Sequence, residues 1–360
     1  MNISLTKSLL IICTLILINF IIESVSGNND YNGRVEIKTS GDVFADVIKG
    51  ITVVAPPKAI GPLVFKKLTD INTEWVCFVP YGFTRKGSTD VRYNQDRQWW
   101  GEKIAGIEVC ITEAKKQGLK VMLKPQVFMG GGWIGDMDFE KEEQWVEWEK
   151  NYRIFIMDYL DVAVKNNAEM FCIGTEFNIA VIKRESFWKE LIRDMRKTYK
   201  GQLTYSANWD NYDKVGIWKD LDIIGISSYF PLSEARNPTV GLLVKEWKPI
   251  VRRLRNFSNK YKKKILFTEY GYMSVDGCAG KSWEIEKNKK NLNINHFAQS
   301  NAYDALWTSL SSESFWGGGF LWKWFPDGMG HEGYPEKDYT PQDKPAENII
   351  KKWFSQIKKV

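Results

Sequence analysis

Two glutamates stand in nearly the same local setting, 93 residues apart. The run Met170 to Ile179 reads M-F-C-I-G-T-E-F-N-I and places Glu176 directly after an apolar stretch closed by Gly174 and Thr175. The run Lys264 to Tyr272 reads K-I-L-F-T-E-Y-G-Y and repeats that order with Thr268 and Glu269. Each reads as a strand that delivers a carboxylate to its C-terminal end. Two carboxylates brought within about 5 to 5.5 Å can hydrolyse a glycosidic bond with retention, one as nucleophile and the other as acid and base.

Competing chemistries lack their residues. The chain holds two histidines, His296 and His331, and neither sits in a nucleophile context that a Ser/His/Asp triad would need. Two distant histidines without a His-Glu-x-x-His run give no zinc ligand set, so no metal and no organic cofactor are expected. Cys77, Cys110, Cys172 and Cys278 fit no metal spacing. An exported chain permits a disulfide among them, but the sequence does not pair them. The glycines from Gly130 to Gly135 match G-x-G-x-x-G in form. Polar residues separate them from the next helix, so no helix N-terminus would face a pyrophosphate. The segment reads as a substrate loop bearing Trp133.

The elements that must position the glutamates come from alternation of short β-rich runs with longer amphipathic stretches. Strands are predicted at Gly50 to Ala55, Glu74 to Gly82, Lys120 to Phe128, the Met170 run, Leu203 to Trp209, Leu221 to Pro231, the Lys264 run and Phe315 to Phe325. Helices are predicted after Pro62, over about Arg97 to Gln117, Glu140 to Asn166 and Ser186 to Tyr199, through the basic stretch before Lys264, and over His296 to Leu310 and Pro345 to Ile357. Eight repeated units make one α/β domain, a (β/α)8 TIM barrel over residues 49–358, the economical fold. Active-site residues then belong at the strand C-terminal ends, where Glu176 and Glu269 fall on the fourth and seventh strands. The connection from Met273 to Asn295 is long for a compact domain, which points to function.

Residues 1–26 stand apart. Lys7, the apolar run Leu9 to Ile22 and the small residues Ser24-Val25-Ser26-Gly27 read as a secretory signal, with an uncleaved anchor as the alternative. Residues 27–48 read as a polar lead-in. The expectation is an exported monomer with no further membrane insertion. Net charge is +6, and the basic residues gather between Lys248 and Lys264 at helical spacing. They read as a solvated helix face, and no nucleic-acid partner is expected.

Sixteen tryptophans and 15 tyrosines exceed what one core needs. Several fall in predicted loops or strand ends, namely Trp133, Trp209, Tyr229, Trp283, Trp322 and Trp324. Sugar rings present apolar C–H faces with polar rims, which an indole face suits.

The motifs S-A-N-W-D-N-Y and I-G-I-S-S-Y-F-P-L between Leu203 and Leu232, with G-T-E-F at Gly174, T-E-Y-G-Y at Thr268 and T-P-Q-D-K-P-A at Thr340, together resemble glycoside hydrolase family 113. The similarity spans about Lys49 to Phe354. It implies a retaining (β/α)8 glycosidase acting on β-1,4-mannan or manno-oligosaccharides. By the same resemblance Glu176 is the acid/base, Glu269 the nucleophile, and Tyr229 the tyrosine that hydrogen-bonds the nucleophile. Lys124, Asn208, Trp209, Trp283 and Trp322 match positions that line sugar subsites. Two positions depart from the family pattern: Gln126 stands where His commonly follows L-K-P, and Ser227 where Asp often stands. Neither is expected to touch the carboxylate pair, so both bear on substrate preference more than on the reaction. A clan relative specific for another β-glycan, or a barrel that binds sugar without cleaving it, are the rival readings.

Overall fold

The computed structural model describes residues 47–327 and 335–356. The signal and most of the lead-in predicted at the N-terminus, and His331, lie outside the described residues. Eight parallel strands close into a barrel. They are β1 (Ile48–Val53), β2 (Trp75–Phe78), β4 (Lys120–Leu123), β6 (Met170–Thr175), β7 (Gln202–Asn208), β8 (Ile224–Ser227), β9 (Ile265–Tyr270) and β10 (Trp316–Trp324). Two more strands, β3 (Tyr81–Arg85) and β5 (Gln126–Gly130), form a separate parallel pair. Among the described residues no helix is long and apolar enough to cross a membrane.

The predicted strands Glu74 to Gly82 and Lys120 to Phe128 are each divided by a proline. Pro80 lies between β2 and β3, and Pro125 between β4 and β5. Proline donates no ladder hydrogen bond, so the regular pairing is interrupted there. The two chains nevertheless stay side by side, because Lys124 N donates to Phe78 O at 2.9 Å and Gln126 N to Pro80 O at 3.0 Å. The pair β3–β5 thus extends the second and third barrel strands past the C-terminal rim. The predicted sixth strand shrinks to the four residues of β8.

The barrel closes where β10 meets β1. Gly318, at φ +85°, makes that approach, since a Cβ there would lie 2.3 Å from the Ile48 carbonyl oxygen. Inside, Trp75, Cys77, Met122, Met170, Leu266 and Phe320 fill the barrel. The larger core lies between the sheet and its surrounding helices. There Trp148, on the helix Glu142–Lys165, stacks on Tyr152 with centroids 5.1 Å apart. The aromatics of that helix are core, as their three- and four-residue spacing predicts. On the helix Val240–Tyr261, Arg252, Arg253, Arg255 and Lys260 face solvent while Leu254 and Phe257 are buried, which is the solvated face read from sequence. The four described cysteines are buried free thiols, so no disulfide forms among them.

The long connection after β9 is partly ordered as a helix, Ser282–Asn288, which buries none of its own residues. It ends at Asn295, whose side chain accepts from Ala298 N at 2.9 Å and so starts the helix His296–Leu310.

Candidate active site

A cavity of about 870 Å³ opens at the C-terminal mouth of the barrel. Glu176, Glu269, Tyr229, Trp133, Asn208, Trp209, Trp283 and Trp322 all line it. The eight come from the ends of five barrel strands, from the segment after β5 and from the helix Ser282–Asn288. Lys124 is fully buried beneath the cavity, so it reaches the site through Glu269 and not as a wall residue.

The two carboxylates sit in contrasting surroundings. Glu269 is the penultimate residue of β9 and is buried. Lys124 forms an ion pair with its Oε1. Gln126 Nε2 donates to the same oxygen at 2.6 Å, and Tyr229 OH donates to Oε2 at 3.0 Å. Burial is the largest influence on the Lys124 ammonium and works against it, but the Glu269 charge, Cys77, Cys172 and the bond to Glu269 together hold that group above its usual range. Burial, then the Glu269 charge, pushes the Tyr229 phenol well above its ordinary value, so it remains a donor. Three donors, one of them cationic, therefore converge on this carboxylate.

Glu176 follows the last residue of β6 and takes φ +57°, a left-handed conformation that costs a non-glycine residue energy. Backbone bonds on both sides enforce it. Glu176 N donates to Ser206 O at 2.9 Å, and Asn178 N donates to Glu176 O at 2.8 Å. Its carboxyl faces the cavity, where Trp133 Nε1 donates to Oε2 at 3.3 Å. Burial, and after it the neighbouring Glu269 charge, lifts this carboxyl to about 7, while Ser227, Trp133 and Lys124 pull the other way. The side chain is only partly covered, so water in the open cavity tempers the effect of burial. A carboxyl poised near neutrality can serve as proton donor and then acceptor.

Below the pair the barrel wall is polar. Ser206 Oγ lies 3.0 Å from Ser227 Oγ and 2.6 Å from Thr268 Oγ1. Gly225 permits this crowding, because a Cβ there would meet the Tyr205 carbonyl oxygen at 2.3 Å. Along the cavity wall Trp209 and Trp283 stack with centroids 5.8 Å apart and planes 13° from parallel.

The structure corrects one expectation from sequence. Gln126 and Ser227, the two departures from the family pattern, both act on the carboxylates. Gln126 bonds Glu269 directly, and Ser227 is among the groups that lower Glu176. The reason is register: Gln126 opens β5 directly after Pro125, which aims its side chain back over the barrel mouth. Sequence reasoning also passed over Tyr339, Asp210, Ser282, Glu286 and Lys287, which line the cavity. The length of the Met273 to Asn295 connection was the available signal for the last three. Tyr339 precedes the T-P-Q-D motif and packs edge-on against Tyr229 at 6.1 Å.

The family model described as Glycoside Hydrolase Family 113 matches residues 62–355. No curated protein matches the chain. Among solved structures, a β-mannanase of that family from Alicyclobacillus acidocaldarius, in complex with ManMIm, superposes with a TM-score of 0.75. It is 26% identical over 88% of this chain and 100% of its own. A complex of a family 113 β-1,4-mannanase gives a TM-score of 0.71 at 29% identity, over 86% of this chain and 99% of that one. A family 5 mannosidase from Rhizomucor miehei shares the fold at a TM-score of 0.61, with 9% identity over 89% of this chain and 97% of that one.

Proposed function

Because the chain belongs to glycoside hydrolase family 113, we propose that it hydrolyses β-1,4-mannosidic bonds in mannan or manno-oligosaccharides by double displacement. The substrate reading draws on the family 113 structures described as β-mannanases, which are 26% and 29% identical to this chain. The mechanistic reading is carried by one observation, the unequal environments of Glu176 and Glu269 in a shared cavity.

Glu269, fixed by Lys124, Gln126 and Tyr229, attacks the anomeric carbon. Glu176, lifted to about 7, gives its proton to the leaving glycosidic oxygen. A glycosyl ester on Glu269 results. Glu176, now ionised, takes a proton from water, which attacks the anomeric carbon and releases Glu269. Tyr229 orients the nucleophile, and Asn208, Trp209, Trp283 and Trp322 hold sugar rings along the cavity. The N-terminal segment fits export to where such polymers lie.

The test is product analysis after incubation with mannopentaose and with cellopentaose, using the wild type and Glu269→Gln. Proton NMR follows the first anomer released. Cleavage of the mannan oligomer with the β-anomer appearing first, abolished in Glu269→Gln, is the expected result. An α-anomer appearing first would sink the double displacement, and preference for cellopentaose would sink the substrate assignment.

A further inference from the structure

The β3–β5 pair carries an aromatic face that the catalytic scheme does not use. Burial alternates along both strands, with Gly82, Thr84, Val127 and Met129 turned inward and Tyr81, Phe83, Gln126 and Phe128 turned outward. The inward face is packed, since a Cβ at Gly82 would meet Val91 at 2.9 Å and Phe155 at 3.1 Å. On the outward face Tyr81 is in register with Gln126, and Phe83 with Phe128. The Phe83 ring lies 6.2 Å from Tyr81 and 6.2 Å from Phe128. Phe128 is 57% exposed. The exposed ring closes a row of three aromatic rings, and contiguous apolar patches of this kind mark ligand-binding grooves and interaction sites.

The row begins at the reacting centre. Gln126, on the same face, donates to Glu269. Phe128 lies two residues further out, about 6.6 Å along the strand, beyond the ring attacked at Glu269 and in place for a neighbouring one. A second cavity of about 210 Å³ joins these residues to the site, lined by Tyr81 and Phe128 together with Glu176, Glu269, Trp133 and Trp322. Its own wall comes from β3, β5 and the segment after β5, next to barrel strands β2 and β4. The wall that holds Trp209 and Trp283 comes from β7 and the connection after β9, across the barrel.

We propose that Phe128, backed by Phe83 and flanked by Tyr81, is a sugar platform for the same glycan chain that crosses the carboxylates. This rests on the reading of the cleft as a mannanase site. The occupant is a pyranose ring of the substrate polymer, because the platform is continuous with the catalytic cavity.

The experiment compares kcat/KM for mannotriose and mannohexaose, with the corresponding gluco-oligomers in parallel, using the full chain. In the wild type, kcat/KM climbs with chain length. Phe128→Ala lowers the hexaose-to-triose ratio about tenfold, equivalent to about 1.4 kcal/mol, and Phe128→Tyr, which keeps a ring, restores it. A ratio that does not move, or a parallel fall for both lengths, overturns the platform. Cleavage of the gluco series alone overturns the mannan assignment, and the ratio is then read on that series. If neither series is cleaved, migration through gels containing mannan or soluble glucan decides. Retardation of the wild type that Phe128→Ala loses supports the platform, and equal migration of the two overturns it.

Discussion

Glu269→Gln should lower the titration of Glu176, and the size of the change follows from the site. Glu176 is lifted to about 7 by burial first and by the Glu269 charge second. At the about 5 to 5.5 Å that the proposed double displacement needs, two unit charges repel by about 3 kcal/mol at an effective dielectric near 20. That would account for nearly the whole displacement, yet burial is the larger cause. Lys124, Gln126 and Tyr229 gather at Glu269 and neutralise much of its field. The expected change is therefore about one pH unit downward, or about 1.4 kcal/mol. The assay is carboxyl titration by difference infrared spectroscopy or by NMR of labelled glutamate, with Glu176→Gln identifying the signal. A Glu176 signal that stays in place or moves upward in Glu269→Gln would refute the electrostatic argument. So would a wild-type signal near the ordinary value of 4.5.

The same displacement has a sign for stability. A carboxyl raised in the folded state favours its neutral form, so its stabilising contribution is fully present below about pH 4.5 and is lost as pH rises through about 7. Glu176→Gln should accordingly be more stable than the wild type at pH 8 but not at pH 4, by about 1 to 2 kcal/mol after allowance for the open cavity; denaturant melts at the two pH values check this. Tyr229→Phe removes a hydrogen bond to a charged oxygen at 3.0 Å, and should lower kcat by about 10- to 100-fold with its fold intact by circular dichroism. Lys124→Met leaves Glu269 buried without its cation and should cost about 3 to 5 kcal/mol of stability at pH 7, read from urea unfolding. Gly318→Ala forces a Cβ against the Ile48 carbonyl at φ +85° and should destabilise the protein by more than about 1 kcal/mol, visible as a lowered Tm with little change in KM.

What the sequence determined by itself is local in origin. An apolar run followed by Thr-Glu reads as a strand ending in a carboxylate because a strand covered on both faces must be apolar until it leaves the core. That logic located Glu176 and Glu269, and counting the units yielded the barrel. The aromatic helix Glu142–Lys165 was legible for the same reason, through its period. The prolines at 80 and 125 were equally visible, but what they divide was not.

Tertiary structure decided what depends on contacts between distant strands. Lys124 and Gln126 meet Glu269 across 145 and 143 residues of chain, a relation that no local pattern encodes. The contrast in surroundings between two glutamates of nearly identical sequence context arises there, because Lys124, Gln126 and Tyr229 converge on one while Trp133 and Ser227 act on the other. The left-handed backbone at Glu176 depends likewise on a bond to Ser206 in the next strand. Residue types told which groups can titrate, and the closed barrel set the surroundings of each.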